Sequence, residues 1–204
     1  MRMGAPAWHP RTAPPDNGYV LFFGTLEPRK NVGALLDAYE ALLARRRDVP
    51  RLILAGRSTP EAAAWLERIA RPPLSTVVEH LGYVDPGRRR DLYAGAAVLV
   101  QPSFEEGFGL PVLEAMTVGV PVIAAAAGAL PEIGGDAVRL VDPHDSDSIA
   151  EALVRVLDDP ALAADMATRG LARAQAYSWH QCALSTLQAY EAAVASRQRA
   201  PYAS

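Results

Sequence analysis

The chain has 204 residues, of which 50% are hydrophobic and 21% charged, with a formal net charge of -3. This balance supplies no general basic field for nucleic acid or an anionic membrane. Cys182 has no second cysteine to pair with, which excludes an internal disulfide framework and is typical of a reducing compartment. No apolar run reaches the ~18 residues of a membrane span, and Met1 begins no signal peptide. We therefore expect a soluble, cytoplasmic protein.

Residues 1–18 are rich in Pro, Ala and Gly and are predicted to be a linker or tail, followed by one domain over residues 19–204. Six short apolar runs predict strands: YVLFF, RLILAG, TVVEHLG, AVLVQP, PVIAA and AVRLV. Asn31 is predicted to cap the first helix, whose apolar residues recur at helical spacing. Further helices are predicted over 60–69, GRRRDLYAGA, 110–118, 149–157, 160–177 and 179–195.

This alternation predicts an α/β fold with a doubly wound, parallel, Rossmann-like sheet. Such sheets bind ligands at the carboxyl ends of their strands. The first strand is followed by GTLEPRKN instead of G-x-G-x-x-G, which disfavours a dinucleotide-dependent oxidoreductase. Neither a G-x-S-x-G elbow nor a G-x-x-x-x-G-K-[ST] loop occurs, which disfavours a hydrolase and a phosphate-loop NTPase.

The loop after the first strand carries two adjacent cations, Arg29 and Lys30, just before a helix. A helix N-terminus favours anions through its free N–H groups and its dipole. Together these features predict a diphosphate site that needs no metal. The alternative is a solvated basic turn.

The loop after the fourth strand, SFEEGFGLPVLEAM, combines carboxylates, glycines and a helix start. Gly107 and Gly109 permit tight backbone geometry and close approach of a ligand, and Leu110 begins a helix whose amides can bind phosphate. Glu106 and Glu114 suit hydroxyl groups such as those of a ribose or hexose. For Glu114 the alternative is a favourable charge in the first helical turn.

Three other strand ends are predicted to open onto the same edge. Arg57 follows the second strand and is either a phosphate contact or an ordinary surface arginine, while Tyr83 and Val84 follow the third. The loop 128–136 is either part of the site or a glycine-rich turn. No His, Asp or Glu pair has a clear metal-ligand spacing, and the histidines are scattered.

Several segments together resemble the C-terminal domain of retaining, nucleotide-sugar-dependent glycosyltransferases of the two-domain GT-B fold (group 1, or family 4). The segments are FFGTLEPRKN, LILAG, HLGYVDPGRRRDLYAGA, VQPSFEEGFGLPVLEAM, GVPVIAA, ALPEIGGDAVRLVDPHD and YSW. They follow the family's order over nearly all of residues 19–190. The two glutamates of EGFGLPVLE, with seven residues between them, are the most specific feature.

The resemblance implies a role for each motif residue. Arg29 and Lys30 would hold the donor diphosphate and stabilise the leaving group, and Glu106 would contact the transferred sugar. Glu114 would bind the ribose hydroxyls. Backbone amides would serve sugar and phosphate, and other residues would line the donor and base pocket: Gly24, Arg57, Tyr83, Val84, Gly107, Phe108, Gly109 and Leu110.

The implied activity is retaining transfer of a hexose, glucose or mannose, from UDP or GDP, with no metal or other cofactor. The acceptor, a glycan or a lipid-linked sugar, would bind through an N-terminal domain that this chain lacks, and the full-length enzyme could be peripheral at a membrane. The alternative is a catalytically silent nucleotide-binding or interaction module. Without the second domain, the last helix is expected to expose Leu184, Leu187 and Tyr190 and to favour self-association.

Overall fold

A computed structural model describes residues 4–46 and 48–199. Its strands are β1 (Tyr19–Phe23), β2 (Leu52–Ala55), β3 (Val78–Gly82), β4 (Ala96–Gln101), β5 (Val122–Ala125) and β6 (Arg139–Val141). Its α-helices are α1 (Val32–Arg45), α2 (Ala63–Ile69), α3 (Pro86–Ala94), α4 (Leu110–Val118), α5 (Leu130–Gly134), α6 (Ser146–Asp158), α7 (Pro160–Ala174) and α8 (Trp179–Arg199). Short 3-10 turns cover Pro28–Lys30, Pro60–Ala62, Leu74–Thr76 and Gly135–Ala137.

The strands form one parallel sheet in the order β3-β2-β1-β4-β5-β6. Because the chain runs outward from β1 in one direction and returns to start β4 beside it, the order reverses between these two strands. Apolar clusters cover both faces of the sheet, one containing residues of α1 and α6 and the other containing residues of α3 and α4. The predicted doubly wound, Rossmann-like fold is confirmed, and its switch point lies between β1 and β4.

Most element boundaries differ from the predicted ones by a few residues. The predicted helix 60–69 is a 3-10 turn followed by α2, and the predicted helix 160–177 ends at Ala174. The loop 128–136 contains the short helix α5, whose Pro131 lies in the first turn where its missing N–H costs nothing. The sequence leaves this stretch open between part of the site and a glycine-rich turn, because composition alone does not separate the two.

The segment before β1 has neither helix nor strand over residues 4–18, yet it packs along the domain. The Ala5 amide donates to the Tyr177 carbonyl, and the Arg11 guanidinium donates to the Ala96 carbonyl at 2.5 Å. The Trp8 ring lies 6.0 Å from the Tyr93 ring. These contacts fix the segment to the start of β4, to the end of α3 and to the chain after α7, which its low periodicity does not reveal.

Helix α8 exposes apolar side chains, as expected from the sequence. Among its described side chains, Trp179, Leu184, Leu187, Tyr190 and Val194 are exposed and Cys182 is buried. Over the described residues, no helix combines the length and apolar character that crossing a membrane requires.

Asn31 does not cap α1 with its side chain, so that prediction is wrong. Asn31 lies at the N-cap position but has a left-handed backbone (φ 56°), and its side chain makes no cap hydrogen bond. Its amide nitrogen donates instead to the carbonyls of Pro102 (3.0 Å) and Pro143 (2.7 Å). The residue therefore ties the loop after β1 to the loops after β4 and β6.

Replacing Asn31 with alanine is expected to lower the free energy of unfolding by about 2 to 4 kcal/mol, since two buried carbonyls lose their donor and a left-handed backbone loses a tolerant residue. Urea denaturation followed by circular dichroism measures the loss. Asn31→Gly, which removes the same donors but accepts the backbone, serves as the control and should lose less. An alanine variant as stable as wild type would contradict the tying role.

Candidate functional site

The site lies at the switch point of the sheet, where the loops after β1 and β4 meet. The Phe104 amide donates to the Arg29 carbonyl at 2.9 Å, and Asn31 contacts the Pro102 carbonyl. Two loops that are about seventy residues apart in sequence are thereby held side by side. The structure thus brings together the two motifs that the sequence singles out.

A buried ion pair lies at the centre of this junction. The Lys30 Nζ atom is 2.5 Å from Glu106 Oε1, and the side chains are only 8% and 7% exposed. The same oxygen accepts hydrogen bonds from Gln101 Nε2 and Ser103 Oγ, each at 3.0 Å. A charge buried this deeply is stable only when paired and hydrogen-bonded, and the glutamate meets both conditions.

Arg29 differs from its neighbour Lys30, although the two are adjacent in sequence. Its side chain is 46% exposed, and Nη2 lies 2.6 Å from Glu27 Oε1. Its Nη1 atom donates to the Glu105 carbonyl at 3.2 Å and lies 3.9 Å from Glu106 Oε2. The junction therefore presents one fixed buried ammonium and one guanidinium at the surface.

The first turn of α4 adjoins this pair. Gly109 precedes the helix with φ 90°, a conformation that favours glycine, and an added Cβ would lie 3.0 Å from Leu130. The amides of Leu110 and Val112 belong to the first turn, where helical N–H groups lack an intrahelical partner. Phe108 is half-buried, with its ring edge-on to Tyr177.

Gly107 does not need the tight backbone geometry predicted for it. Its φ is not positive, and an added Cβ would meet nothing within 4 Å. The reason is that the turn of the loop is made at Gly109. The space beside Gly107 is open, which leaves only the close approach of a ligand as a reason for glycine there.

The loop after β5 is part of the same junction. Gly128 has φ 56°, and a Cβ on it would lie 2.9 Å from the Glu106 nitrogen and 3.0 Å from its carbonyl oxygen. The Ala129 amide donates to that carbonyl at 3.1 Å. The loop 128–136, for which the sequence allowed either a part of the site or a simple turn, therefore packs against the backbone of Glu106.

A cleft of about 320 Å³ opens beside the ion pair, at the ends of β1, β2 and β3. Gly24, Arg57, Tyr83 and Val84, all predicted as donor-binding residues, line it. The guanidinium of Arg57 lies over the exposed Tyr83 ring at 4.9 Å. Flat, partly apolar walls with cationic N–H donors suit a heteroaromatic ring.

Glu114 is the fifth residue of α4, beyond its first turn, so the helix-dipole alternative has little support. Its buried carboxylate accepts from Arg89 Nη2 at 2.7 Å on both oxygens and from the Tyr93 hydroxyl at 2.8 Å. Burial raises the pKa of Glu114 above its ordinary value, while Arg89 opposes the rise. Burial also raises the pKa of Tyr93, so its hydroxyl stays a donor.

Three residues that contact Glu106 or Glu114 were not predicted from the sequence: Gln101, Ser103 and Arg89. Gln101 could have been noticed, since it is a polar residue ending an apolar strand and is fully buried. Arg89 is the middle of three consecutive arginines, and only the orientation of α3 separates it from the other two.

In the part of the chain that the structure describes, no group of three or more His, Cys, Asp and Glu side chains could hold a metal ion. His80 is engaged with the Gly56 carbonyl at 2.8 Å.

An α/β switch point that combines a buried lysine, a helix N-terminus and a ring-sized cleft is typical of domains that bind phosphate groups and nucleotides. The sequence profile of the family Glycosyl transferases group 1 matches residues 6–173. The chain belongs to this family, and the resemblance seen in the sequence is confirmed.

One curated relative and two solved structures show how much of a family member the chain represents. The Escherichia coli O-antigen chain mannosyltransferase B is 42% identical over 175 residues, which cover 85% of this chain and 46% of the relative. Anabaena HepE, solved in complex with UDP, has a TM-score of 0.73 at 27% identity and covers 85% of this chain and 49% of its own. The chain therefore spans about half the length of these proteins.

The second solved structure shows which half of a family member this chain resembles. It is the C-terminal domain of a glycosyl transferase group 1 family protein from Francisella tularensis, with a TM-score of 0.73 at 26% identity. The match covers 84% of this chain and 96% of that one. The predicted likeness to a C-terminal half of the GT-B fold is confirmed.

Proposed function

We propose that this chain is the donor-binding domain of a retaining family 4 glycosyltransferase that transfers glucose or mannose from UDP or GDP. The observation that carries the proposal is the buried Lys30–Glu106 pair at the switch point, directly beside the first turn of α4. A mannosyltransferase relative and a structural neighbour in complex with UDP support the donor class.

Lys30 supplies positive charge where the leaving diphosphate becomes negative. An ammonium has three N–H donors, and Glu106 accepts one of them, so others are left for phosphate oxygens. Arg29 adds a second cation from the surface, and the amides at the start of α4 add fixed dipoles. Charge placed in advance in this way lowers the barrier without reorganisation during the reaction.

Glu106 has two roles in this scheme. Through Oε1 it fixes Lys30, and Gln101 and Ser103 fix Glu106 in turn. Among the described residues, its other oxygen, Oε2, has only the distant Arg29 contact at 3.9 Å, so it can accept a hydroxyl of the transferred sugar. The sugar then lies over Gly107, where a side chain would obstruct it.

The reaction follows from this placement. The bond between the anomeric carbon and the diphosphate oxygen breaks, and the diphosphate keeps the electron pair. The acceptor hydroxyl attacks the same face of the sugar and passes its proton to the departing diphosphate oxygen, so the anomeric configuration is retained. Arg29, Lys30 and Glu106 act on the donor side, and no bound metal is required because side chains and helix dipoles balance the phosphate charge.

The nucleoside part of the donor fits the cleft lined by Gly24, Arg57, Tyr83 and Val84. Glu114, at the inner side of Arg89, accepts ribose hydroxyls.

A glycan or lipid-linked acceptor binds to an N-terminal domain like that of the two-domain relatives. The enzyme works in the cytoplasm, where nucleotide sugars are made, with peripheral membrane contact for a lipid-linked acceptor.

Calorimetric titration of the chain with UDP, GDP, ADP and TDP, in EDTA and in magnesium, tests the proposal. We expect UDP or GDP to bind with the same affinity under both conditions. The corresponding nucleosides are the control and should bind far more weakly. Failure of all four diphosphates to bind, or binding only with magnesium, would contradict the donor site proposed here.

A further inference from the structure

Arg89 links the candidate ribose-binding carboxylate to the wall of the cleft. It reaches from α3 to line the cleft, and its Nη2 atom lies 2.7 Å from both oxygens of Glu114. Its guanidinium lies over the Phe23 ring at 4.7 Å. Arg89 is 29% exposed and Glu114 8%, so the arginine stands between the buried carboxylate and the solvent-filled cleft.

We propose that Arg89 is a positioning residue for Glu114: it holds this carboxylate ionised behind the wall of the cleft, in the form that accepts ribose hydroxyls. The inference rests on the proposed donor site and adds a residue whose role the sequence motifs do not suggest. Arg89 acts through Glu114, because its Nη2 donors are committed to the carboxylate.

The need for such a residue follows from burial. A carboxylate taken out of water favours its neutral form, and burial is the largest influence raising the pKa of Glu114. The titratable groups that contact it, Arg89 and Tyr93, both come from α3, and both stabilise the ionised form through hydrogen bonds. Arg57 lines the same cleft from the end of β2. Arg89 is the charged one of the two contacts and therefore contributes most to keeping Glu114 ionised.

The contacts also leave room for the ligand. A carboxylate offers about four acceptor positions, and Arg89 and Tyr93 occupy three of them. The remaining position can accept a ribose hydroxyl without breaking the ion pair.

The test is calorimetric titration of wild type and Arg89→Met with UDP and GDP and with their 2′,3′-dideoxy forms, between about pH 6 and pH 8. Wild type should prefer the ribonucleotide at every pH. In Arg89→Met the preference should fall roughly tenfold at the acidic end, since one charge-assisted hydrogen bond is lost when Glu114 is protonated. It should recover toward pH 8, because the pKa of Glu114 rises once Arg89 is absent and the carboxylate ionises again above it.

Matched variants separate positioning from folding. Arg88→Met removes the same charge from an exposed neighbour on α3 and should behave as wild type. Arg89→Lys restores the cation and should restore most of the ribose preference at low pH. Tyr93→Phe removes the uncharged partner and should leave the pH profile nearly flat. Melting curves identify any variant that fails to fold. If Arg89→Met fails to fold, the ribose preference of Arg89→Lys is compared with that of wild type instead.

Three outcomes would overturn the inference. A ribose preference in Arg89→Met that equals wild type at all pH values would show that Glu114 does not depend on Arg89. An equal loss for ribo and dideoxy forms would show that Arg89 contacts another part of the nucleotide. If wild type binds neither UDP nor GDP, the proposed donor site itself fails, and the inference fails with it.

Discussion

Replacing Lys30 with alanine is expected to weaken binding of UDP or GDP by roughly 10- to 100-fold, while the affinity for uridine or guanosine changes by less than about twofold. The ammonium lies at the junction of the β1 and β4 loops, beside the cleft that receives the base but not in its lining. Among the parts of the nucleotide, the phosphates should therefore lose the most binding energy when the ammonium is removed. Calorimetric titration with matched nucleoside and diphosphate pairs measures the difference.

The same variant leaves the Glu106 carboxylate buried without its cation, which is expected to lower the free energy of unfolding by about 3 to 5 kcal/mol. The double variant Lys30→Ala/Glu106→Gln removes both charges and should recover part of that loss without recovering diphosphate binding. This comparison separates the electrostatic role from the structural one. Equal losses for nucleoside and diphosphate in the double variant would refute a phosphate role for Lys30.

Gly56→Ala is the second change with a large expected effect, a loss of about 3 kcal/mol or more in the free energy of unfolding. Gly56 has φ 142°, and a Cβ there would lie 2.0 Å from the Gly24 carbonyl oxygen. The atoms that the new Cβ would meet belong to the backbone and cannot move away by a side-chain rotation. The loops after β1 and β2 must therefore separate. Since both loops line the cleft, nucleotide affinity should fall as well.

Gly107→Ala is the matched control for this prediction, because an added Cβ there has nothing within 4 Å. Its stability should stay within about 0.5 kcal/mol of wild type. Chemical denaturation of the two variants side by side gives the comparison. A Gly56→Ala variant as stable as Gly107→Ala would show that the two loops are not in the close contact described.

The fold could be predicted because its strands are short apolar runs separated by strong turn signals. YVLFF and AVLVQP are apolar at nearly every position, which a parallel strand covered on both faces requires. Once the alternation of strands and helices is recognised, the position of the two charged loops at the carboxyl edge follows from topology. Family motifs then assign the residues in those loops.

Contacts between elements could not be predicted in the same way. Asn31 is a residue type that is favoured at helix N-caps, yet tertiary contacts with two proline carbonyls determine its conformation. The pairing of Arg89 with Glu114 depends on the rotation of α3 against α4, which three consecutive arginines do not encode. The packing of residues 4–18 depends on isolated contacts such as that of Arg11, which leave no periodic pattern.

The most direct test of the proposed donor site is a crystal structure of this chain grown with UDP or GDP. If this site is correct, the diphosphate lies between Lys30 and the first turn of α4, the base lies in the cleft beside Tyr83, and a ribose hydroxyl contacts Glu114 with the Arg89 contact intact. A nucleotide bound elsewhere, or one bound at this edge with its phosphates turned away from Lys30, would contradict it.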